Sequence, residues 1–235
     1  MATYLLIHGA LRGAWLWDRL MPLLMKGGGN PIAIDLPGHG DRLEDRKGIT
    51  MSTYMDDVIQ FIRKENLRDI VLVGHSMSGM IISKVAEEAA ERVKHLVYLA
   101  AVVPGDNDAL IDLLTKERQA TLRSLHGKAK EIFGPLDTLR PLYFTDLEGE
   151  EKEFYLKQLT PQPLAPFFEK IRFSRFPGIP VPKTYVLGLL DKSLPPELTR
   201  GFAERLGVIP VEIEGGHDLM VSRPAEVAEV LLQVG

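Results

Sequence analysis

The chain has 235 residues, 45% hydrophobic and 26% charged with both signs mixed, the profile of one ordinary globular domain that can bury a sizeable core and carry an insertion. A formal net charge of −4 without a long lysine/arginine run argues against nucleic acid or an anionic membrane surface as the main partner and favours a small neutral or apolar ligand. The absence of cysteine excludes disulfides, a thiolate nucleophile and thiolate metal sites. With no basic leader in MATYLLIHGA and no apolar run near the ~18 residues of a membrane span, a cytoplasmic protein with no membrane partner is expected.

Short apolar runs alternate with helical patterns along the chain. Thr3 to Ile7 reads as a strand, Trp15 to Leu24 as a helix with apolar residues at Trp17, Leu20, Leu23 and Leu24, and Gly27-Gly28-Gly29 as its end. Pro31 to Asp35 is the next strand and Leu36 to Gly40 a loop. Ser52 is the expected N-cap of a helix in which Met55, Val58, Ile59 and Ile62 recur at i, i+3, i+4 and i+7. Ile70 to Val73 is a strand, Met80 to Val93 a helix and His95 to Ala101 a strand that stops before Pro104. From Gly105 to Gly178 the alternation lapses into helical segments, prolines and aromatics with no convincing strand, which reads as an inserted helical cap. It resumes with a strand from Thr184 to Leu190, a helix from Pro196 to Leu206, a strand from Val208 to Ile213 and a helix from Pro224 to Leu232. Near-continuous apolar strands separated by helices imply an α/β fold, a mostly parallel sheet covered on both faces. The expected division is a core of 1–104 and 179–235 with a cap of 105–178.

Gly74-His75-Ser76-Met77-Ser78 joins an apolar strand to a helix. A serine on such a turn stands clear of its neighbours with Oγ aimed into a cleft, the nucleophile elbow. Ser78 stands where the motif usually has a second glycine; serine is still small, and its hydroxyl is expected to bond back within the first helical turn.

In open α/β sheets the ligand lies beyond the carboxyl ends of the strands, so residues just after strands converge although they are distant in sequence. Ser76, Asp191 and His217 all hold such positions, in the order Ser, Asp, His of the α/β-hydrolase fold. The chemistry needs these types: a neutral imidazole removes the Ser76 proton, Asp191 orients His217, and Ser76 attacks a carbonyl. Taken singly, a loop Asp or His is usually a cap or turn residue. Asp218, Glu212, Glu214 and Glu197 compete as the acid, but Asp218 is adjacent to His217 in the chain and neighbouring side chains diverge, while Glu212 and Glu214 read as an exposed rim. Backbone N–H groups of Ala10 and Met77 are the candidate oxyanion donors, Gly9 allowing close approach. His8, His39 and His75 lack a metal-ligand spacing and read as structural, so neither metal nor cofactor is expected. Most cap aromatics read as cap core, with a minority lining the acyl pocket.

His8-Gly9-Ala10 with Trp15 and Trp17, Asp35 to Gly40, Gly74 to Met77, Tyr98 to Ala101, Leu159 to Leu164 and Gly216-His217 together resemble the α/β-hydrolase branch of plant methylesterases and hydroxynitrile lyases. The likeness spans nearly the whole chain. It implies a small cap over a buried pocket and a salicylate-methylesterase-like hydrolase, expected to be of bacterial type, acting on small or aromatic esters, often methyl esters. The lyases of that branch typically carry threonine at the position of Gly9 and lysine at that of Asp218. An acidic neighbour opposes departing cyanide where an amine would stabilise it, so hydrolysis is favoured over lyase chemistry. A non-turnover small-molecule receptor on the same fold is the other alternative, and a homodimer stays open because no motif encodes surface patches.

Overall fold

The computed structural model describes residues 1–43 and 48–235. In chain order its strands are β1 (Thr3–Ile7), β2 (Asn30–Ile34), β3 (Ile70–His75), β4 (Val93–Leu99), β5 (Asp108–Ala109), β6 (Glu131–Ile132), β7 (Gln162–Pro163), β8 (Lys170–Ile171), β9 (Lys183–Gly188) and β10 (Val211–Ile213). The α-helices are α1 (Met21–Lys26), α2 (Met51–Lys64), α3 (Ser78–Glu88), α4 (Lys116–Leu125), α5 (Leu136–Leu139), α6 (Gly149–Gln158), α7 (Pro196–Leu206), α8 (Leu219–Ser222) and α9 (Pro224–Val234). Six strands form one sheet in the order β10-β9-β4-β3-β1-β2, every neighbouring pair parallel. No helix among the described residues is long and apolar enough to cross a membrane.

The apolar runs of the sequence are continuous because both faces of the sheet are covered. Leu5, Ile7 and Leu72 pack with α2, α3 and α7 on one face, whereas Leu6, Val71 and Val73 pack with α1, α8 and α9 on the other. The chain leaves β1 for β2 on one side and returns to β3 on the other. The loops after β1 and β3 therefore part at a topological switch point, where a crevice opens at the carboxyl ends of the strands.

Local signals moved several boundaries. The expected helix from Trp15 to Leu24 is split into a 3-10 turn at Ala14–Trp17 and α1, because Pro22 has no N–H to bond to the turn before it. Thr50, rather than Ser52, caps α2: its extended backbone and its Oγ, which accepts the Thr53 N–H, complete a capping box. Ser52 instead sends its N–H and hydroxyl to Glu169, at 2.9 and 2.6 Å. β4 begins two residues early and ends at Leu99, where Ala100 turns to φ +45°, and β10 begins only at Val211, after Pro210. Between 105 and 178, where no strand was expected, β5 pairs with β8 and β6 with β7 in antiparallel two-residue ladders. Two residues are too few to show alternation.

Candidate active site

β3 ends at His75 and α3 opens at Ser78, leaving Ser76 at the turn with φ +55°, a region that residues with a β-carbon seldom occupy. The turn is held on both sides: the Ser76 N–H donates to Leu99 O at 3.3 Å, and Ser76 O accepts from Gly79 at 3.2 Å and Val102 at 3.1 Å. A β-carbon on Gly74 would lie 2.9 Å from both Ile82 Cγ2 and Ser78 O, and one on Gly79 would run into the Val102 carbonyl. The second position that demands glycine is thus Gly79, one residue later than the motif places it, which leaves Ser78 free to be larger. The Ser78 hydroxyl donates to His8 O at the end of β1, across the sheet rather than along its own helix as expected.

Asp191 follows β9 and His217 follows β10, and both are buried. His217 Nδ1 lies 2.7 Å from Asp191 Oδ2, and His217 Nε2 lies 2.9 Å from Ser76 Oγ. Asp191 Oδ1 accepts the N–H groups of Ser193 at 2.7 Å and Leu194 at 2.8 Å. With Nδ1–H committed to Asp191, the neutral tautomer presents a bare Nε2 to the Ser76 hydroxyl, the arrangement a general base needs.

Beside this chain runs the loop His8-Gly9-Ala10. A β-carbon on Gly9 would sit 2.7 Å from Ser76 Cβ and 2.9 Å from His75 Nδ1, so only glycine fits. Among the described residues the N–H groups of Ala10 and Met77 have no internal acceptor. The Ala10 carbonyl accepts from Arg12 Nη1 at 2.8 Å. Leu11 is gripped from the far segment, its N–H reaching Gln162 Oε1 at 3.3 Å and its carbonyl accepting from Thr160 at 2.9 Å. His8 joins Gly9 O at 2.8 Å and the Leu36 N–H at 3.0 Å, His39 joins Gln162 at 2.9 Å, and His75 Nε2 donates to His217 O at 3.1 Å.

Asp218, dismissed from the triad on chain adjacency, points away from His217 to a bidentate ion pair with Arg12, at 2.6 and 2.9 Å, both side chains 1% exposed. Its charge is cancelled by a paired guanidinium, so the argument from an acidic neighbour against a cyanide leaving group lapses; the steric demand at Gly9 remains. Glu212 pairs with Arg200 at 2.8 Å on the surface.

Ser76 opens into a narrow cleft with apolar walls from Val102, Leu110, Leu114 and Phe167 and polar groups from Arg12, Arg118, Tyr143 and Ser193. Tyr143 and Phe167 are the aromatics of the 105–178 segment that reach it; Phe133 and Phe154 are exposed, and Phe144 and Tyr155 pack with Trp15. Burial alone pushes the Tyr143 phenol up, but the guanidiniums of Arg118 and Arg12 outweigh it and hold the phenol below its ordinary value. Nothing in the sequence marks Arg12 or Arg118 as site residues. Gln162 had a signal only as part of Leu159 to Leu164, and Tyr143 only as one of the cap aromatics of which a minority was expected to line the pocket.

A six-stranded parallel sheet with a serine on the turn after its central strand defines a class of protein, and sequence comparison agrees: residues 4–230 match the Alpha/beta hydrolase family, to which the chain belongs. Within it the chain is similar to a carbendazim hydrolyzing esterase of Nocardioides sp. (strain SG-4G), 29% identical over 245 residues and 100% of both chains. Methylesterase 7 of Arabidopsis thaliana is 26% identical over 251 residues, covering 98% of this chain and 95% of that one, and an alpha-hydroxynitrile lyase of the same plant stands at 27%. Among solved structures, an extracellular alpha/beta-hydrolase from a Paenibacillus species, described as sharing structural and functional homology with tobacco salicylic acid binding protein 2, superposes with a TM-score of 0.92. It is 26% identical, over 100% of this chain and 99% of that chain.

Proposed function

We propose that this carboxylesterase hydrolyses small or aromatic esters, methyl esters among them, through an acyl-enzyme on Ser76. The observation that carries the reading is the hydrogen-bonded line from Ser76 Oγ through His217 to Asp191, at 2.9 and 2.7 Å, on a serine held at φ +55°. Ser76 Oγ attacks the ester carbonyl as His217 Nε2 takes its proton, and Asp191 stabilises the imidazolium that forms. The Ala10 and Met77 N–H groups receive the oxyanion, an interaction for which losing one donor costs ~3 kcal/mol. His217 then protonates the departing alcohol and activates water to release the acid. Residues 105–178 act as a cap over the core of 1–104 and 179–235, closing the acyl pocket with Leu110, Leu114, Tyr143 and Phe167. The esterase relatives support hydrolysis, and the lack of room for a β-carbon at Gly9 weighs against the lyase reading.

The test is turnover of p-nitrophenyl acetate by the native chain and by Ser76→Ala. Sustained native turnover that falls by about 10⁴-fold or more in the variant is expected. A stoichiometric burst without turnover indicates a receptor-like protein, and turnover that survives the substitution removes Ser76 from the mechanism.

A further inference from the structure

Arg118 lies on α4 and lines the same cleft as Ser76. Its Nη1 donates to the Ser193 hydroxyl at 2.7 Å and its Nη2 to the Tyr143 hydroxyl at 3.0 Å. A guanidinium carries five N–H donors and no acceptor, so both hydroxyls accept in these bonds and keep their own hydrogens to give. Neither hydroxyl has an acceptor for that hydrogen among the described residues, although Tyr143 and Ser193 are each only 3% exposed. Arg118 makes no ion pair with a described carboxylate, in contrast to Arg12, also in the cleft, which is matched by Asp218. Three donor groups therefore converge with no anion of the protein to receive them.

We propose that this end of the cleft binds a carboxylate carried by the substrate itself, so that the preferred substrates are half-esters, with the ester carbonyl at Ser76 and the carboxylate paired to Arg118 and bonded by the Tyr143 and Ser193 hydroxyls. The fork of a guanidinium suits a two-oxygen anion, and the buried hydroxyls replace the water that the anion gives up. This rests on Ser76 being the nucleophile. The low-lying phenol of Tyr143, held down by Arg118 and Arg12 against the effect of burial, fits a positive potential in this corner.

The test is kcat/KM for monomethyl succinate, glutarate and adipate, each against the methyl ester in which an isopropyl group replaces the carboxylate. 3-Acetoxypropanoate against 3-methylbutyl acetate carries the anion on the alcohol half. The native enzyme should favour at least one carboxylate-bearing ester over its neutral isostere by about tenfold, the scale of one charge-assisted hydrogen bond. The pair that shows the preference tells which half of the ester faces Arg118. Arg118→Met should bring that ratio to about one or below, and Arg118→Lys should keep part of it. No preference in the native enzyme, or a preference that survives in Arg118→Met, overturns the proposal. Arg118 also ties α4 to Tyr143, so the variant's melting transition is recorded, and if it does not fold the native panel decides alone. Turnover that depends on Ser76 without any preference sinks this inference only, whereas turnover independent of Ser76 sinks the nucleophile assignment.

Discussion

In the sheet, Leu5 to Ile7 and Val71 to Val73 lose all contact with solvent. Between 105 and 178, α4 buries Leu122 alone, α6 buries Tyr155 and Leu156, and Phe133 and Phe154 remain exposed. The sheet stands on apolar burial, which is strong and undirected. In the outer segment α4 and α6 add little of it, and the turns and loops join the same core through residues such as Leu110, Leu113, Phe144, Phe167 and Phe173. Directed polar ties add to that hold: Thr160 and Gln162 to Leu11, Glu169 to Ser52, Arg118 to Ser193. The difference teaches how work is divided in the site. Ser76, Asp191 and His217 sit on turns that the sheet holds rigidly, while Arg118 and Tyr143 reach the cleft from the outer segment, whose helices α4 and α6 are mostly unburied.

The largest expected effect breaks the sheet side of that contrast. Leu72→Ala removes a side chain with no exposure from the middle of β3 and should cost about 3 kcal/mol in urea unfolding. A loss below about 1 kcal/mol would mean that the sheet is not where the stability resides.

The next lies at the seam between the two regions. Burial first, then the nearby imidazoles and the guanidinium of Arg12, holds His8 and His75 well below the ordinary imidazole value of 6.5, with His39 and Arg12 acting on His8 and His217 and Arg12 acting on His75. Both stay neutral in the fold at a pH where the unfolded chain's imidazoles take up protons. The unfolded state then binds more protons, so stability is full above about 6.5 and falls as pH drops below it, by up to about 2.7 kcal/mol per unit for the pair. Unfolding midpoints taken between pH 7.5 and 5.5 test this, and a flat profile would show that the buried rings charge without penalty.

The smallest effect sharpens the segment side. Gln162→Leu deletes the acceptor of the Leu11 N–H and the partners of His39 and Tyr54. It should lower kcat/KM for p-nitrophenyl acetate about tenfold, through a displaced Ala10 loop, while stability falls by only ~1 to 2 kcal/mol. Unchanged kinetics with a larger loss of stability would make Gln162 part of the packing and not a support of the site.

The sequence by itself determined the sheet and the turn that presents Ser76, since both rest on local signals: runs such as Ile70 to Val73, buried on both faces, and small residues at a strand-to-helix turn. Asp191 and His217 were legible as residues that follow strands. Tertiary structure alone decided the company they keep. Arg12 and Asp218 pair across 206 residues of chain, Arg118, Tyr143 and Ser193 meet from three separate stretches, and the glycine needed at the elbow is Gly79 because the Val102 carbonyl happens to pass there. Apolar burial repeats along an element and so leaves a period in the sequence. A directed bond between two polar side chains involves one residue on each side and leaves none, so it appears only once the fold has brought the partners together.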